Sequence, residues 1–200
     1  MDAVVFDLGK VLLDWNPRYY YRQFFASEEA MDAFLSEALP PAWVIEMDAG
    51  KPADVAIAER QRLLPQYAAL IGRWKEGWNA MLRGPIAESV AILAELRVRD
   101  TRLYALTNFS TETWPVARER FDFLSWFEDT VVSGEHGVVK PDPRIFEIAI
   151  RRFRLDPPRT VFIDDLAENV AAARKIGFRA LHFTGAPGLR ADLRELGLLD

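Results

Sequence analysis

The sequence predicts an α/β protein, a doubly wound, Rossmann-like parallel sheet with an inserted all-helical cap. From about residue 83 onward, short apolar runs alternate with amphipathic helical segments. Strands that alternate with helices indicate a parallel sheet covered on both faces. Residues 15–82 break this alternation, because they carry helical periodicity and no convincing strand. The 200 residues are enough for one core domain plus a small insert.

The chain begins with a predicted strand at residues 3–6, a short apolar run bounded by charge and glycine. The block that follows predicts four or five helices, separated at Pro40-Pro41 and at the segment Gly50-Lys51-Pro52. We therefore expect an α/β core formed by residues 1–14 and 83–200, and a helical cap formed by residues 15–82.

The second part of the chain predicts alternating helices and strands. The helix within 110–121 is expected to begin with a Ser or Thr cap. The helix within 142–153 is expected to begin at Asp142 and Pro143, and the helix within 167–178 to end at Gly177. The predicted helices lie within 86–100, 110–121, 142–153, 167–178 and 188–196, and the predicted strands within 102–108, 128–134, 159–165 and 179–183.

Composition excludes several classes of function. The chain has no cysteine, which excludes disulfides, thiolate catalysis and cysteine-ligated zinc. Its net charge is −5 and its basic residues are scattered, so we expect no nucleic-acid partner. No stretch approaches 18 consecutive apolar residues, and the N-terminus does not resemble a signal peptide. We expect a cytoplasmic protein with no membrane association.

Polar side chains follow each of the first four predicted strands, at or just beyond the point where the strand ends. In an open parallel sheet, ligands bind at the carboxyl ends of the strands. These side chains are therefore expected to converge at one edge of the sheet. They are Asp7, Thr107, Asn108, Lys140, Asp164 and Asp165.

These residue types suit phosphoryl transfer. A carboxylate such as Asp7 can attack phosphorus and become an acyl phosphate. Mg²⁺ prefers oxygen ligands, which Asp164 and Asp165 can supply together with Asp7. Lys140 offers a fixed positive charge against the charge that develops on the phosphoryl group. Thr107 and Asn108 can donate hydrogen bonds to phosphoryl oxygens.

Four segments in this order resemble the motifs of the haloacid dehalogenase superfamily of hydrolases. The resemblance implies Asp7 as the nucleophile, Thr107 as a phosphate-binding residue, Lys140 as the catalytic lysine, and Asp164 and Asp165 as metal ligands. The helical block matches in position the cap of one subfamily. The four segments are "VVFDLGKVLLDW", "LYALTNFS", "SGEHGVVKPDPRIF" and "VFIDDLAENVAAARKIGF".

Position 9 departs from the family pattern. Most phosphatases of the family have an aspartate there, which protonates the leaving group and then activates water. The residue at this position also binds metal through its backbone carbonyl, and Gly9 retains that group. The segment "FDLGKVLLDW" resembles a branch that includes bacterial α-glucose-1-phosphate phosphatases.

Water or a cap residue is expected to replace the missing acid. Lys10 and Asp14 are candidates because they are close in sequence, although Asp14 is better explained as a hinge or cap contact. The segment "EMDAGKP", with Asp48 and Gly50, predicts a tight turn of a kind that can point at an active site.

We therefore predict an Mg²⁺-dependent phosphomonoester hydrolase that acts on a small, sugar-phosphate-like metabolite through an aspartyl-phosphate intermediate at Asp7. One alternative is a 2-haloacid dehalogenase, in which Asp7 attacks carbon and neither metal nor leaving-group acid is needed. Another is a non-catalytic protein that binds a phosphorylated ligand. The expected partner is a small phosphorylated molecule, and the expected oligomeric state is a monomer or homodimer.

Overall fold

Five parallel strands form the central sheet of the computed structural model, which describes all 200 residues. A separate pair of short strands lies at the base of the helical block. In chain order the strands are β1 (Ala3–Phe6), β2 (Leu13–Trp15), β3 (Leu82–Pro85), β4 (Arg102–Thr107), β5 (Asp129–Val132), β6 (Thr160–Asp164) and β7 (Arg179–His182). The central sheet has the order β5-β4-β1-β6-β7, which confirms the predicted α/β class.

The block between β2 and β3 is entirely helical and has its own apolar core. It contains six helices rather than four or five, because two single-turn helices were not resolved by periodicity. Tyr21 and Phe34 are fully buried at its centre. The helices are α1 (Arg18–Tyr21), α2 (Glu28–Ala38), α3 (Pro41–Asp48), α4 (Ala53–Leu63), α5 (Ala68–Ile71) and α6 (Trp74–Met81).

The strands β2 and β3 pair antiparallel where the chain leaves the sheet and where it returns. The sequence prediction missed both strands. Each has only three or four residues, and β3 contains Gly84 and Pro85, which are poor strand formers. Their pairing depends on the two ends of the helical block being adjacent in space. The division into a core of 1–14 and 83–200 and a cap of 15–82 stays a prediction.

Helices cover both faces of the central sheet. On β1, Val4 and Phe6 face one apolar cluster while Ala3 and Val5 face the other, as the two-residue period of a strand requires. The helices α7 (Ala87–Val98), α8 (Trp114–Arg120) and α11 (Ala186–Glu195) pack on the first face, and α9 (Pro143–Phe153) and α10 (Ala167–Ile176) pack on the second.

Helix ends agree with the sequence in two cases and differ in two. The Asp142 side chain caps α9 by accepting a hydrogen bond from the Arg144 N–H, and Gly177 ends α10 at a φ of 106°. The expected Ser or Thr cap on α8 is wrong, since Thr113 makes no side-chain capping bond. Ser110 instead accepts from the Glu112 N–H in the preceding turn. The last helix begins at Ala186, two residues before the predicted start.

The strand order places β1 between β4 and β6, so that the chain winds outward in both directions from β1. Phe6 is in register with Ala105 on one side and with Ile163 on the other. The residues that follow these positions therefore meet at one point of the sheet edge, where the direction of winding reverses. None of the helices has the length and apolarity needed to cross a membrane.

Two helical glycines, one in the helical block and one in the last helix of the core, test the packing around them. A Cβ at Gly77 in α6 would lie 2.2 Å from the Tyr20 ring, whereas at Gly188 in α11 the nearest atom would be 3.6 Å away. We expect Gly188→Ala to raise the free energy of unfolding by about 0.5–1 kcal/mol through helix propensity. Gly77→Ala should lower it by about 1–3 kcal/mol through overpacking. Urea unfolding measures both, and stabilisation by Gly77→Ala would contradict this packing.

Candidate active site

Asp7 follows β1 directly, and its side chain is buried. Its backbone N–H donates to the Ile163 carbonyl at 2.8 Å, which continues the ladder between β1 and β6. Its Oδ1 atom accepts from the Leu8 N–H at 2.7 Å and lies 2.8 Å from the Lys140 ammonium. Both contacts are made by Oδ1, so Oδ2 remains available for another partner.

Lys140 is buried between two carboxylates. Its Nζ lies 2.8 Å from Asp7 Oδ1 and 2.7 Å from Asp164 Oδ2, and donates to the Leu106 carbonyl at 2.9 Å. An ammonium group has three N–H donors, and these three contacts use all of them. Burial by itself lowers the pKa of Lys140, but Asp7 and Asp164 outweigh that effect and raise the pKa above its usual value. Lys140 is therefore a fixed cation.

The Asn108 side chain holds the backbone of Lys140. Its Nδ2 donates to the Lys140 carbonyl at 3.0 Å, and its Oδ1 accepts from the Lys140 N–H at 2.8 Å. In the structure this amide positions the lysine, and the predicted role of Asn108 as a phosphate donor stays a prediction. Thr107, the last residue of β4, is buried beside it.

Asp164 ends β6 and is fully buried. Its Oδ2 contacts Lys140, while its Oδ1 accepts from the Leu166 N–H and from Asn169 Nδ2, each at 2.9 Å. Sequence analysis did not identify Asn169. Its burial on the first turns of α10 is a tertiary property, and the only local signal is an asparagine within a helix that follows two acids.

Asp7, Asp164 and Asp165 form an acidic cluster in which one ligand atom from each lies within 4.8 Å of the others. Burial and Asp164 raise the pKa of Asp7 to about 7, against the opposing effect of Lys140. Burial and Asp164 also raise the pKa of Asp165. One ammonium group does not balance three carboxylates. A divalent cation would, and three carboxylate oxygen donors fit Mg²⁺.

The residues considered as substitutes for an acid at position 9 lie in the turn and strand after β1. Gly9 forms a bridge with Leu13, and Lys10 is exposed with its positive charge acting on Asp165. Asp14 lies in β2, and its carboxylate accepts from the Tyr19 hydroxyl at 2.9 Å. That position agrees with the hinge or cap contact expected for Asp14.

Hydrogen bonds attach the cap to the loops at the sheet edge. The Ser133 hydroxyl accepts from the Phe109 N–H at 2.9 Å and donates to the Asp48 carbonyl at 2.6 Å. The Ala53 N–H donates to Glu112 Oε1 at 2.9 Å. These contacts hold the segment after α3 over the candidate site. Sequence analysis did not identify Ser133, because nothing in its local sequence indicates a contact 85 residues away.

The haloacid dehalogenase-like hydrolase family model matches residues 1–177. The chain belongs to this family. Sesquiterpene phosphatase astK of Aspergillus oryzae is 26% identical over 200 residues, which cover 97% of this chain and 95% of astK.

Solved structures share the fold. A structure described as a predicted haloacid dehalogenase-like hydrolase from Porphyromonas gingivalis matches with a TM-score of 0.73 and 26% identity, over 98% of both chains. A solved dehalogenase matches with a TM-score of 0.70 and 20% identity, over 92% of this chain and 85% of the other. The second likeness shows the fold alone, so the choice between phosphatase and dehalogenase chemistry depends on the site residues.

Metal binding should stabilise the protein through the acidic cluster. At a Mg²⁺ concentration 100 times the dissociation constant, we expect the free energy of unfolding to rise by about 2.7 kcal/mol. Asp165→Asn should remove most of this gain, because it removes one ligand of the cluster. Asp122→Asn, at an exposed acid, should retain it. Thermal unfolding with Mg²⁺ or with chelator measures the gain, and an equal gain in both variants would contradict the assignment.

The raised pKa of Asp7 predicts how the stability of the metal-free protein depends on pH. The usual pKa of this carboxyl is 3.8. Between pH 3.8 and about pH 7, the native state therefore holds a proton that the unfolded chain has lost. The stabilisation from this carboxyl is therefore complete below pH 3.8 and is lost as pH rises through about 7. Each bound proton contributes a slope of about 1.4 kcal/mol per pH unit. Urea unfolding in chelator at pH 5, 6 and 7 should show a shallower decline for Asp7→Asn than for wild type. Equal slopes would contradict the raised pKa.

Proposed function

We propose that this protein is an Mg²⁺-dependent phosphomonoester hydrolase that forms an aspartyl phosphate at Asp7. The observation that carries the proposal is the convergence of Asp7, Lys140, Asp164 and Asp165 at one point of the sheet edge. Phosphoryl transfer from a dianionic ester to a carboxylate needs positive charge between two anions. The buried Lys140 supplies part of that charge, and a divalent cation held by the three carboxylates would supply the rest.

The geometry assigns a task to each side chain. Asp7 Oδ1 is held by Lys140 and by the Leu8 N–H, which leaves Oδ2 to attack phosphorus. Lys140 offsets the negative charge that develops as the bond forms. The buried Thr107 hydroxyl at the end of β4 is assigned to a phosphoryl oxygen. Asn108 and Asn169 position Lys140 and Asp164.

The metal site is assigned to Asp7, Asp164 and Asp165, together with the backbone carbonyl of Gly9. Mg²⁺ bound there would neutralise part of the charge on the ester and lower the repulsion between the phosphate and the Asp7 carboxylate. The raised pKa values of Asp7 and Asp165 support this assignment, because burial and the Asp164 carboxylate outweigh the nearby lysines at both carboxyls.

The substrate is assigned to the class of small phosphorylated metabolites. Two members of this class are appropriate first tests. Sugar phosphates follow from the likeness of the first motif to glucose-1-phosphate phosphatases, and a prenyl phosphate follows from the likeness of the whole chain to a sesquiterpene phosphatase.

Dehalogenation of a 2-haloacid is the second candidate, and Gly9 is the observation that favours it. In that reaction the leaving halide needs no proton, so an acid at position 9 is unnecessary. The acidic pair Asp164 and Asp165 counts against it, because a metal site has no purpose when Asp7 attacks carbon. The two reactions differ in their need for metal, which makes chelation a direct test.

We expect wild-type protein with Mg²⁺ to release phosphate from at least one ester in a panel of sugar phosphates, a prenyl phosphate and 4-nitrophenyl phosphate. Chelator should abolish release, because it removes the charge that offsets the two anions. Asp7→Asn should abolish it as well, because the nucleophile is lost. Colorimetric phosphate determination measures the rates.

Asp122→Asn serves as the matched control, since it removes one exposed carboxylate outside the cluster. Halide release from 2-haloacids in the presence of chelator, with no phosphate release, would establish the dehalogenase instead. Absence of both products, combined with phosphate-induced thermal stabilisation, would indicate a binding protein.

A further inference from the structure

The proposed reaction needs an acid that position 9 does not supply. When an alkyl ester is cleaved, the departing oxygen must take a proton, and a positioned acid contributes about 10²–10⁴-fold to the rate. Gly9 has no side chain, and a Cβ built there would meet no atom within 4 Å. The space beside the nucleophile is therefore open to a group from another part of the chain.

Asp48 lies in a turn of the helical block that is held against the same edge of the sheet. It is the last residue of α3, and its backbone carbonyl accepts from the buried Ser133 hydroxyl at 2.6 Å. Two residues later, a Cβ at Gly50 would lie 3.0 Å from the Gly134 carbonyl oxygen, so the two backbones are in close contact. Gly50 also has a φ of 93°, which favours glycine. The turn is thus held against the sheet edge by both hydrogen bonding and packing.

The Asp48 carboxyl shares the electrostatic environment of the nucleophile. Burial and then the Asp7 carboxylate raise the pKa of Asp48 to about 7, while Lys140 and the Ser110 backbone N–H oppose the rise. The loop that holds the turn also carries Glu135, which pairs with Arg152 at 3.8 Å, and His136. A group that is partly protonated at neutral pH can both give and accept a proton.

Asp48 differs from the other acids of the cap. It has no lysine or arginine within ion-pair distance, and it is half-buried rather than exposed. Glu29 and Glu37 also lack a basic partner, but both are exposed. The remaining cap acids are paired: Glu28 and Asp32 with Arg18, Glu46 and Glu59 with Lys51, Asp54 with Lys75, and Glu76 with Arg73.

We propose that Asp48 is the catalytic acid and base of the reaction, and that it takes the place of an aspartate at position 9. This inference rests on the proposed function. As Asp7 attacks phosphorus, the bond to the leaving oxygen breaks, and that oxygen takes the proton of the Asp48 carboxyl to leave as an alcohol. A water molecule then attacks the aspartyl phosphate and gives a proton to the Asp48 carboxylate. The bond from phosphorus to Asp7 breaks, which releases phosphate and restores both carboxyls.

The test compares Asp48→Asn with wild type on two esters that wild type hydrolyses, one alkyl phosphate and 4-nitrophenyl phosphate. Nitrophenolate is a stable anion and leaves without a proton. An alkoxide leaves only when an acid gives it a proton. We expect Asp48→Asn to slow the alkyl ester by about 10²–10⁴-fold. With the nitrophenyl ester it should release a burst of about one equivalent of nitrophenol and then turn over slowly, because the aspartyl phosphate no longer has a base to activate water. Intact mass spectrometry should show the accumulated phosphoenzyme.

Glu46→Gln is the matched control, an acid of the same helix that binds Lys51 at the surface. It should behave as wild type on both esters. Equal slowing of the two esters by Asp48→Asn, with no burst and no phosphoenzyme, would overturn the proposal. Wild-type activity is measured first, so a failure of the proposed function is recognised before any variant is compared.

If circular dichroism shows that Asp48→Asn does not fold, the pH dependence of the wild-type protein is measured instead. The single-turnover rate of phosphoryl transfer from the alkyl ester should fall as pH rises and the acid loses its proton, whereas the single-turnover rate with the nitrophenyl ester should not fall. Parallel pH profiles for the two esters would overturn the proposal.

Discussion

The buried ammonium of Lys140 is the interaction on which the site depends. It lies within 2.8 Å of two carboxylates that come from different strands, Asp7 after β1 and Asp164 at the end of β6. Removing the ammonium would leave both buried carboxylates without a cation, and breaking a buried ion pair in this way costs about 3–5 kcal/mol. The same side chain therefore fixes the geometry of the nucleophile and offsets part of the negative charge buried at this point.

The surrounding residues maintain that arrangement. Asn108 holds the backbone of Lys140 with both ends of its amide, and Asn169 holds the second oxygen of Asp164. These contacts leave little rotational freedom to the charged groups, which is the condition for electrostatic stabilisation that needs no reorganisation during the reaction. The carboxylates still exceed the ammonium in charge, and this excess makes the edge of the sheet a site for a divalent cation.

Elements with a local sequence signal were predicted, and features that depend on a distant part of the chain were not. The strands β1, β4 and β6 are apolar runs that end in polar residues, and a parallel sheet brings such ends together whatever the loops do. The paired strands β2 and β3 and the task of Asn108 were not predicted, since each depends on a partner far away in the chain. Asp48 was assigned only to a tight turn, because its neighbourhood is created when the cap meets Ser133 and Gly134. The site assignments themselves stay predictions.

If the acid lies on the cap, the core supplies the nucleophile and the cap supplies the acid. An aspartate at position 9 would belong to the same turn as the nucleophile and would be present whether or not the cap covered the site. Under the proposal, Asp48 acts from the helical block, which the Ser133 hydrogen bond joins to the sheet edge. Protonation of the leaving group then depends on this contact between the helical block and the sheet edge, while attack by Asp7 uses groups at the sheet edge alone. Without this contact, water that reached the aspartyl phosphate would have no base to take its proton, so the lifetime of the intermediate would depend on the contact between the helical block and the sheet edge.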